Sequence, residues 1–160
     1  MKTTPSGGDP TGAFPGAFER LLRWSALAAA LNLAWELVQL PLYTIYEEGN
    51  VRTIAFAIAH CTAGDVLIAA SSYVVAAATT RSWAWPATRP VLGATAVVVA
   101  GVAYTAFSEW LNVSVRGSWA YADAMPRIFG TIGLAPLAQW LVVPLLTLAF
   151  FRTWTRHAGR

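Results

Sequence analysis

The chain has 160 residues, of which 56% are apolar and only 12% charged. A soluble domain spends about a quarter of its residues on Asp, Glu, Lys and Arg, so this composition excludes an ordinary soluble fold and suits one that needs charge only at its ends. A net charge of +3, scattered over segment ends, gives nucleic-acid binding no support, and a single cysteine excludes an internal disulfide and a cysteine-rich metal site.

Residues 1–20 contain Pro5, Gly7, Gly8, Pro10, Gly12, Pro15 and Gly16 and read as a disordered leader. With no apolar core of its own, this leader is not expected to be a cleaved signal peptide. A helix rising about 1.5 Å per residue needs roughly 20 apolar residues to cross the hydrocarbon of a bilayer. The first such span is 21–43, interrupted by Asn32, Glu36 and Gln39; the second is 53–80, interrupted by His60 and Asp65. The third is 90–112, in which Pro90 to Ser108 holds no ionisable group except Tyr104, and the fourth, 128–151, holds none. A basic tail, 153–160, follows. The expected fold class is all-α: one membrane domain over 21–152, a bundle of four transmembrane helices with short up-and-down connections. Pro41 and Pro126 flank helix ends, whereas Pro136 and Pro144 fall inside the fourth span, where a kink is expected. Ala26 with Ala30, Ala96 with Ala100, and Gly130 with Gly133 are the small pairs that would allow close helix approach.

Eight basic residues (Lys2, Arg20, Arg23, Arg81, Arg89, Arg152, Arg156, Arg160) fall at one end of the bundle and three (Arg52, Arg116, Arg127) at the other, with Glu47, Glu48 and Asp123. The positive-inside rule places both termini in the cytoplasm of a multi-pass cell-membrane protein, in the inner membrane if the host is Gram-negative. Trp24, Trp83, Trp85 and Trp154 at the cytoplasmic ends, and Tyr43, Tyr46, Trp110, Trp119 and Tyr121 at the outer ends, match the interfacial aromatic belts. Trp35 and Trp140 lie deeper.

Asn32, Glu36 and Gln39 follow at i, i+4 and i+7 and share one face of the first helix. Glu36 lies seven residues before the end of its span and His60 seven after the start of the next, so both are expected roughly 10 Å below the outer surface, where they can meet. Asp65 is rotated about 140° from His60 and shares a face with Cys61 instead, while Gly64 leaves room beside His60. Thr105, Glu109, Asn112 and Arg116 line one face of the third helix, with Glu109 shallow. Gln139 is expected about three turns into the fourth helix, next to Trp140. Trp119 and Tyr121 stand in an outer loop able to fold down as a lid. Every helix thus contributes a polar group to the outer half, implying a polar pocket open outward or laterally.

The catalytic candidates are Glu36, His60, Asp65 and Glu109. Substrate-binding candidates are Asn32, Trp35, Gln39, Asn112, Trp119, Tyr121, Gln139 and Trp140. Blander readings exist for most of them. The amides serve equally as interhelical hydrogen-bonding groups worth about 0.6 kcal/mol each. His60 reads as a structural partner of Glu36, Glu109 as an interfacial anchor paired with Arg116, and Cys61, Trp35 and Trp140 as packing. The deep carboxyl groups differ, because holding one in hydrocarbon costs on the order of 2.5–3.5 kcal/mol by insertion scales and stability does not explain it. Glu36, His60, Asp65 and Glu109 are ligand types that Zn, Fe or Mn accept, but no HxxxH or HxxE spacing fixes two of them on one face, so no metal site is assigned.

The stretch NLAWELVQLPLY (Asn32 to Tyr43), HC followed by GD (His60 to Asp65), and SEWLN…RGSWAY…MP…GLAPLAQW (Ser108 to Trp140) resemble an uncharacterised family of small bacterial four-helix membrane proteins. That resemblance implies the fold but no activity. The tract from Glu109 through Trp119, Tyr121, Pro126 and Pro136 to Trp140 is loosely similar to membrane carotenoid hydratases and lycopene-cyclase-like proteins. This second resemblance implies a hydratase, cyclase or isomerase, with Glu36 and Glu109 as proton donors to an alkene.

The leading expectation is an intramembrane enzyme acting on a lipophilic, isoprenoid-like molecule. Burial disfavours the charged form of a carboxyl group, which can then carry and donate a proton. Glu36 would be the acid, His60 its positioning or relay group, and Asp65 the counter-charge or base. A small proton or cation transporter or channel subunit is the alternative, although the cytoplasmic half offers only Asn32, Ser71 and Ser72 to such a path. An accessory subunit docking a partner helix is the third. The expected partners are membrane lipid and a lipophilic small molecule; a homo-oligomer or a partner membrane subunit is compatible, and no cofactor is specified.

Overall fold

The computed structural model describes residues 13–157, with side chains over 16–154. Of the expected leader, 1–12 lie outside the described residues, as do 158–160 of the tail. Residues 13–20 are helical, which corrects the expectation for that part. Pro15 falls in the first turn, where no intrahelical N–H bond is required, and Arg23 pairs with Glu19 one turn apart.

Helix α1 (Ala13–Gln39) ends in a 3₁₀ turn, Leu40–Leu42, around Pro41, which cannot donate to a continuing helix. A single turn, α2 (Ile45–Glu48), precedes α3 (Val51–Thr80), whose first turn is capped by Asn50 accepting from Thr53 N at 3.0 Å. Helix α3 stops at Arg81, in the left-handed region at φ 54°. The turn α4 (Trp85–Thr88) leads to α5 (Pro90–Glu109), which begins on a proline and continues as a π-helical segment, Trp110–Arg116, up to Gly117 at φ 61°. A two-residue hairpin, β1 (Arg127–Ile128) against β2 (Ile132–Gly133), precedes α6 (Leu134–His157).

Four stretches are long and apolar enough to cross a membrane: Gly16–Leu42, Val51–Thr80, Pro90–Arg116 and Leu134–Trp154. They form an all-α, up-and-down bundle in which α1 packs on α3, α3 on α5, α5 on α6 and α6 back on α1. The chain is thus built as a multi-pass membrane protein. Its two ends differ. One carries α2 and the hairpin (the loop end), and the other carries α4 (the Trp85 end).

Three expectations are corrected here. The fourth membrane helix starts at Leu134 rather than 128, because Phe129 and Gly130 take positive φ (52° and 72°) and turn the chain into the hairpin, which Leu134 N closes on Pro126 O at 2.8 Å. Pro136 therefore lies in the first turn, where a missing N–H costs nothing, and Pro144 is the interior proline. Two of the expected small pairs do not make close helix contacts: Ala26 and Ala30 are exposed, and Gly130 and Gly133 belong to the hairpin, whereas Ala96 packs on the core and Ala100 borders a cavity. Close approach occurs instead at Gly93 and Gly101, where a Cβ would stand 2.0 Å from the Trp85 ring and 2.1 Å from the Trp140 ring.

Trp24 and Trp85 are also not belt residues. They are fully buried and fill the axis at the Trp85 end with Tyr73, Val97 and Phe151. Trp24 meets Trp85 edge-on at 5.3 Å, and Tyr73 meets Trp85 at 5.4 Å. Trp24 Nε1 donates to Ala69 O at 3.2 Å, and the Tyr73 hydroxyl to Trp83 O at 2.7 Å. Trp83 and Trp154 remain exposed. Between apolar helices in lipid, such packing and buried hydrogen bonds replace the hydrophobic drive of water.

Gly101→Val is expected to force the Trp140 ring out of place and cost about 1–3 kcal/mol, read as a lower unfolding midpoint when SDS is titrated into mixed micelles. Gly64→Ala, whose Cβ meets nothing within 4 Å, is expected to leave that midpoint in place.

Candidate functional site

The polar side chains of three helices converge where α1, α3 and α6 meet. Gln139, about one and a half turns into α6, donates from Nε2 to Asn32 Oδ1 and to Asp65 Oδ2, both at 2.8 Å. Its Oε1 accepts from Gln39 Nε2 at 3.4 Å, and Gln39 Nε2 also donates to Glu36 Oε1 at 2.9 Å. Trp35 Nε1 closes the set on Gln39 Oε1 at 3.1 Å, and Asn32 Nδ2 returns to Ala28 O at 2.9 Å. Asn32, Gln39 and Gln139 are buried, whereas Glu36 and Asp65 are partly open. The two carboxyl groups lie in hydrogen-bonding contact with each other.

Sequence reasoning paired Glu36 with His60, and the structure does not. Glu36 sits one turn from the end of α1, whereas Asp65 sits about 21 Å along α3. The connection 40–50 is not a tight hairpin: it continues past the end of α1, so α3 begins well beyond it and its fourth turn, not its second, comes level with Glu36. His60 is exposed and stacks on Phe56, ring centroids 5.7 Å apart, with no hydrogen bond to Glu36. The relay role expected for it has no geometric basis. Gln139 lies nearer the start of its helix than expected because α6 begins late.

A second polar centre lies toward the loop end. Glu109 is buried and accepts the hydroxyl proton of Tyr121, whose oxygen accepts from Gly133 N at 2.9 Å. Burial first, and then the bond to Glu109, hold the Tyr121 hydroxyl above the usual phenol range, so Tyr121 keeps its proton and donates. Arg127 lies 5.6 Å over the Tyr121 ring. Trp119 is the other neighbour of Glu109, its buried Nε1 making no hydrogen bond of ordinary geometry. Glu109 is thus not a shallow anchor, and Arg116 makes no ion pair with it. Thr105, Glu109, Asn112 and Arg116 all border one cavity, as expected of a shared face, the last two carried on a π-helical segment with more residues per turn. Asn112 serves that segment, donating to Ser108 O at 2.9 Å and accepting from Ser118 Oγ at 3.4 Å.

The two loops lock over this end. Tyr43 bridges to Tyr121, Thr44 N donates to Ala120 O at 3.1 Å, and Ala122 N to Leu42 O at 3.0 Å. Neither this pairing nor the Tyr121–Glu109 bond has a signal in residue spacing. Both join segments far apart in the chain.

Between the two centres lies a cavity of about 970 Å³, lined by Glu36, Asp65 and Glu109 together with apolar groups of α3 and α5. Its rim holds Phe56, Leu67 and Tyr104, all more than half exposed on the outer flank of the bundle. Gln39, Asn112, Trp119, Gln139 and Trp140 also border it, whereas Asn32, Trp35 and Tyr121 lie behind its wall. Trp140 is buried against Gly101, Ala28 and Ala69 and shows the cavity only an edge. Among the described residues, no three His, Cys, Asp or Glu side chains converge as metal ligands would. The chain matches no protein-family model, no curated protein and no solved structure. The resemblances drawn from the sequence therefore assign it to no family.

Gln139→Ala leaves Asn32 Oδ1 and Asp65 Oδ2 without their donor, at a cost of about 1–3 kcal/mol; the SDS-unfolding midpoint is expected to fall, and less so in an Asn32→Ala background, where one partner is already absent. Tyr121→Phe removes the acceptor of the Gly133 amide, whose hydrogen exchange is expected to accelerate while amides of the Trp85 end stay protected.

Proposed function

We propose that the protein is an intramembrane enzyme that binds a lipophilic molecule in the cavity and acts on it by acid–base chemistry. One observation carries the reading: a contacting carboxyl pair, Glu36 and Asp65, held by amides in the wall of a cavity that apolar groups also line and that borders the lipid-facing flank. Two carboxyl groups in contact do not both carry charge readily, so one proton is held between them. Such a pair can deliver a proton to one carbon of an alkene while the conjugate carboxylate removes one from the allylic carbon beyond the double bond, a double-bond shift that needs no other reactant. Gln139 and Gln39 hold the two groups in place and do not themselves transfer protons.

Transport fits less well. Past Asn32 the axis is filled by Trp24, Tyr73, Val97 and Phe151, with no carboxylate or imidazole among them, although the α3 wall of the cavity runs on to Ser71, Ser72 and Val75. By the excess of arginine at the Trp85 end, both termini face the cytoplasm and the loop end faces outward.

Lipid extraction and mass spectrometry of the purified protein test the reading. Wild-type protein is expected to carry a lipophilic molecule that Gly64→Phe, filling the cavity from α3, does not retain. Glu36→Gln and Asp65→Asn are expected to carry it in unreacted form. The same species in the same ratio in wild type and both carboxyl variants would reduce the site to binding alone.

A further inference from the structure

The chemistry of the cavity wall restricts what the bound molecule presents to it. Taking the site proposed above as its premise, we infer that the ligand is an amphiphile whose head donates hydrogen bonds, a hydroxyl or an ammonium, and whose tail reaches the bilayer between α3 and α5.

The amide donors of the wall are already committed. Gln139 Nε2 has two N–H groups, and both are used, on Asn32 and Asp65. Gln39 Nε2 uses its own on Glu36 and Gln139, and Trp35 Nε1 is used on Gln39. Asn32 Nδ2 and Asn112 Nδ2 are bound to backbone carbonyls. The Trp119 indole N–H is shut in beside Glu109. What the wall still offers is carboxyl oxygen. Glu36, Asp65 and Glu109 all border the cavity with acceptor oxygens. Lining hydroxyls such as Tyr43 and Thr105 serve as donor or acceptor and carry no charge. A carboxylate or phosphate head would meet acceptors and a negative potential from Glu36, Asp65 and Glu109; a head with O–H or N–H groups satisfies them. The bordering groups able to carry positive charge, Arg116 and His60, are both exposed on the rim, so an anionic head would have to stay outside.

The route follows from the same surfaces. At the loop end, the Tyr43–Tyr121 bridge and the two backbone bonds beside it cover part of the way in, and the exposed Thr53, Arg116 and Ser118 border the rest. The open rim is Phe56 and Leu67 of α3 and Tyr104 of α5, which face lipid once the bundle is in a bilayer. A tail leaving there never contacts water.

Cys61, the single cysteine, lines the cavity one turn from Asp65 and reports on its occupancy. Wild-type protein in lipid nanodiscs is labelled with a maleimide in the presence of dodecanol, dodecylamine or dodecanesulfonate, and the rate is followed by intact mass. Dodecanol and dodecylamine are expected to slow labelling about tenfold when nine-tenths of the sites are filled, and dodecanesulfonate to leave it unchanged. A Glu36→Gln, Asp65→Asn double variant is expected to lose the protection by dodecylamine. Equal protection by dodecanesulfonate would overturn the rule on the head group while leaving the lipophile site standing. Absence of protection by every probe, with Cys61 still reactive, would overturn the lipophile site itself and the proposed function with it. The comparison of heads uses the wild-type chain and does not depend on a variant folding.

Discussion

The hydrogen bonds of Gln139 hold three helices of the bundle at one level. In hydrocarbon an unpaired amide or carboxyl group has no water to turn to, so each polar group must find a partner on a neighbouring helix. Gln139 reaches Asn32 on α1 and Asp65 on α3 from α6, and Gln39 returns to it from the end of α1. Those bonds set how far each helix slides along its neighbours. Shifting α6 by one turn would break all of them together. The close packing of Trp140 against Gly101, one residue along from Gln139, ties α5 to the same level.

From that level outward the molecule divides into two regimes. Toward the Trp85 end it is a packed aromatic core, completed by a tryptophan delivered from a single helical turn and admitted by Gly93. Toward the loop end it is a set of polar bonds around a void, with the loops tied to each other and Tyr121 tied to Glu109. The rigid half supplies the stability that the hollow half spends on holding carboxyl groups in lipid. A site with fixed groups and one open flank is the consequence.

The four spans were legible because charge-free runs of that length have few other uses. The polar faces were legible too, since a period of 3.6 residues places Asn32, Glu36 and Gln39 together wherever the helix points. Which residues meet across helices was not. Pairing Glu36 with His60 assumed that α1 and α3 end level, and the length of 40–50 in space depends on how Pro41 and α2 turn the chain. The late start of α6 rested on positive φ at Phe129, a conformation that no propensity predicts for a phenylalanine. The aromatic belt misplaced Trp24 and Trp85 because a tryptophan near a helix end looks the same in sequence whether it faces lipid or the axis.

The offset between α1 and α3 has a consequence for the surrounding membrane. At 30 residues, α3 is about 45 Å long, against about 30 Å of hydrocarbon, while the membrane stretch of α6 has 21 residues. No single upright orientation confines both to the hydrocarbon. Either the ends of α3 extend into the headgroup layers, or the bilayer thickens along the α3–α5 flank, or the whole bundle leans until its long side is shortened in projection. In each case the acyl chains beside Phe56, Leu67 and Tyr104 meet a longer flank of protein than those beside α6.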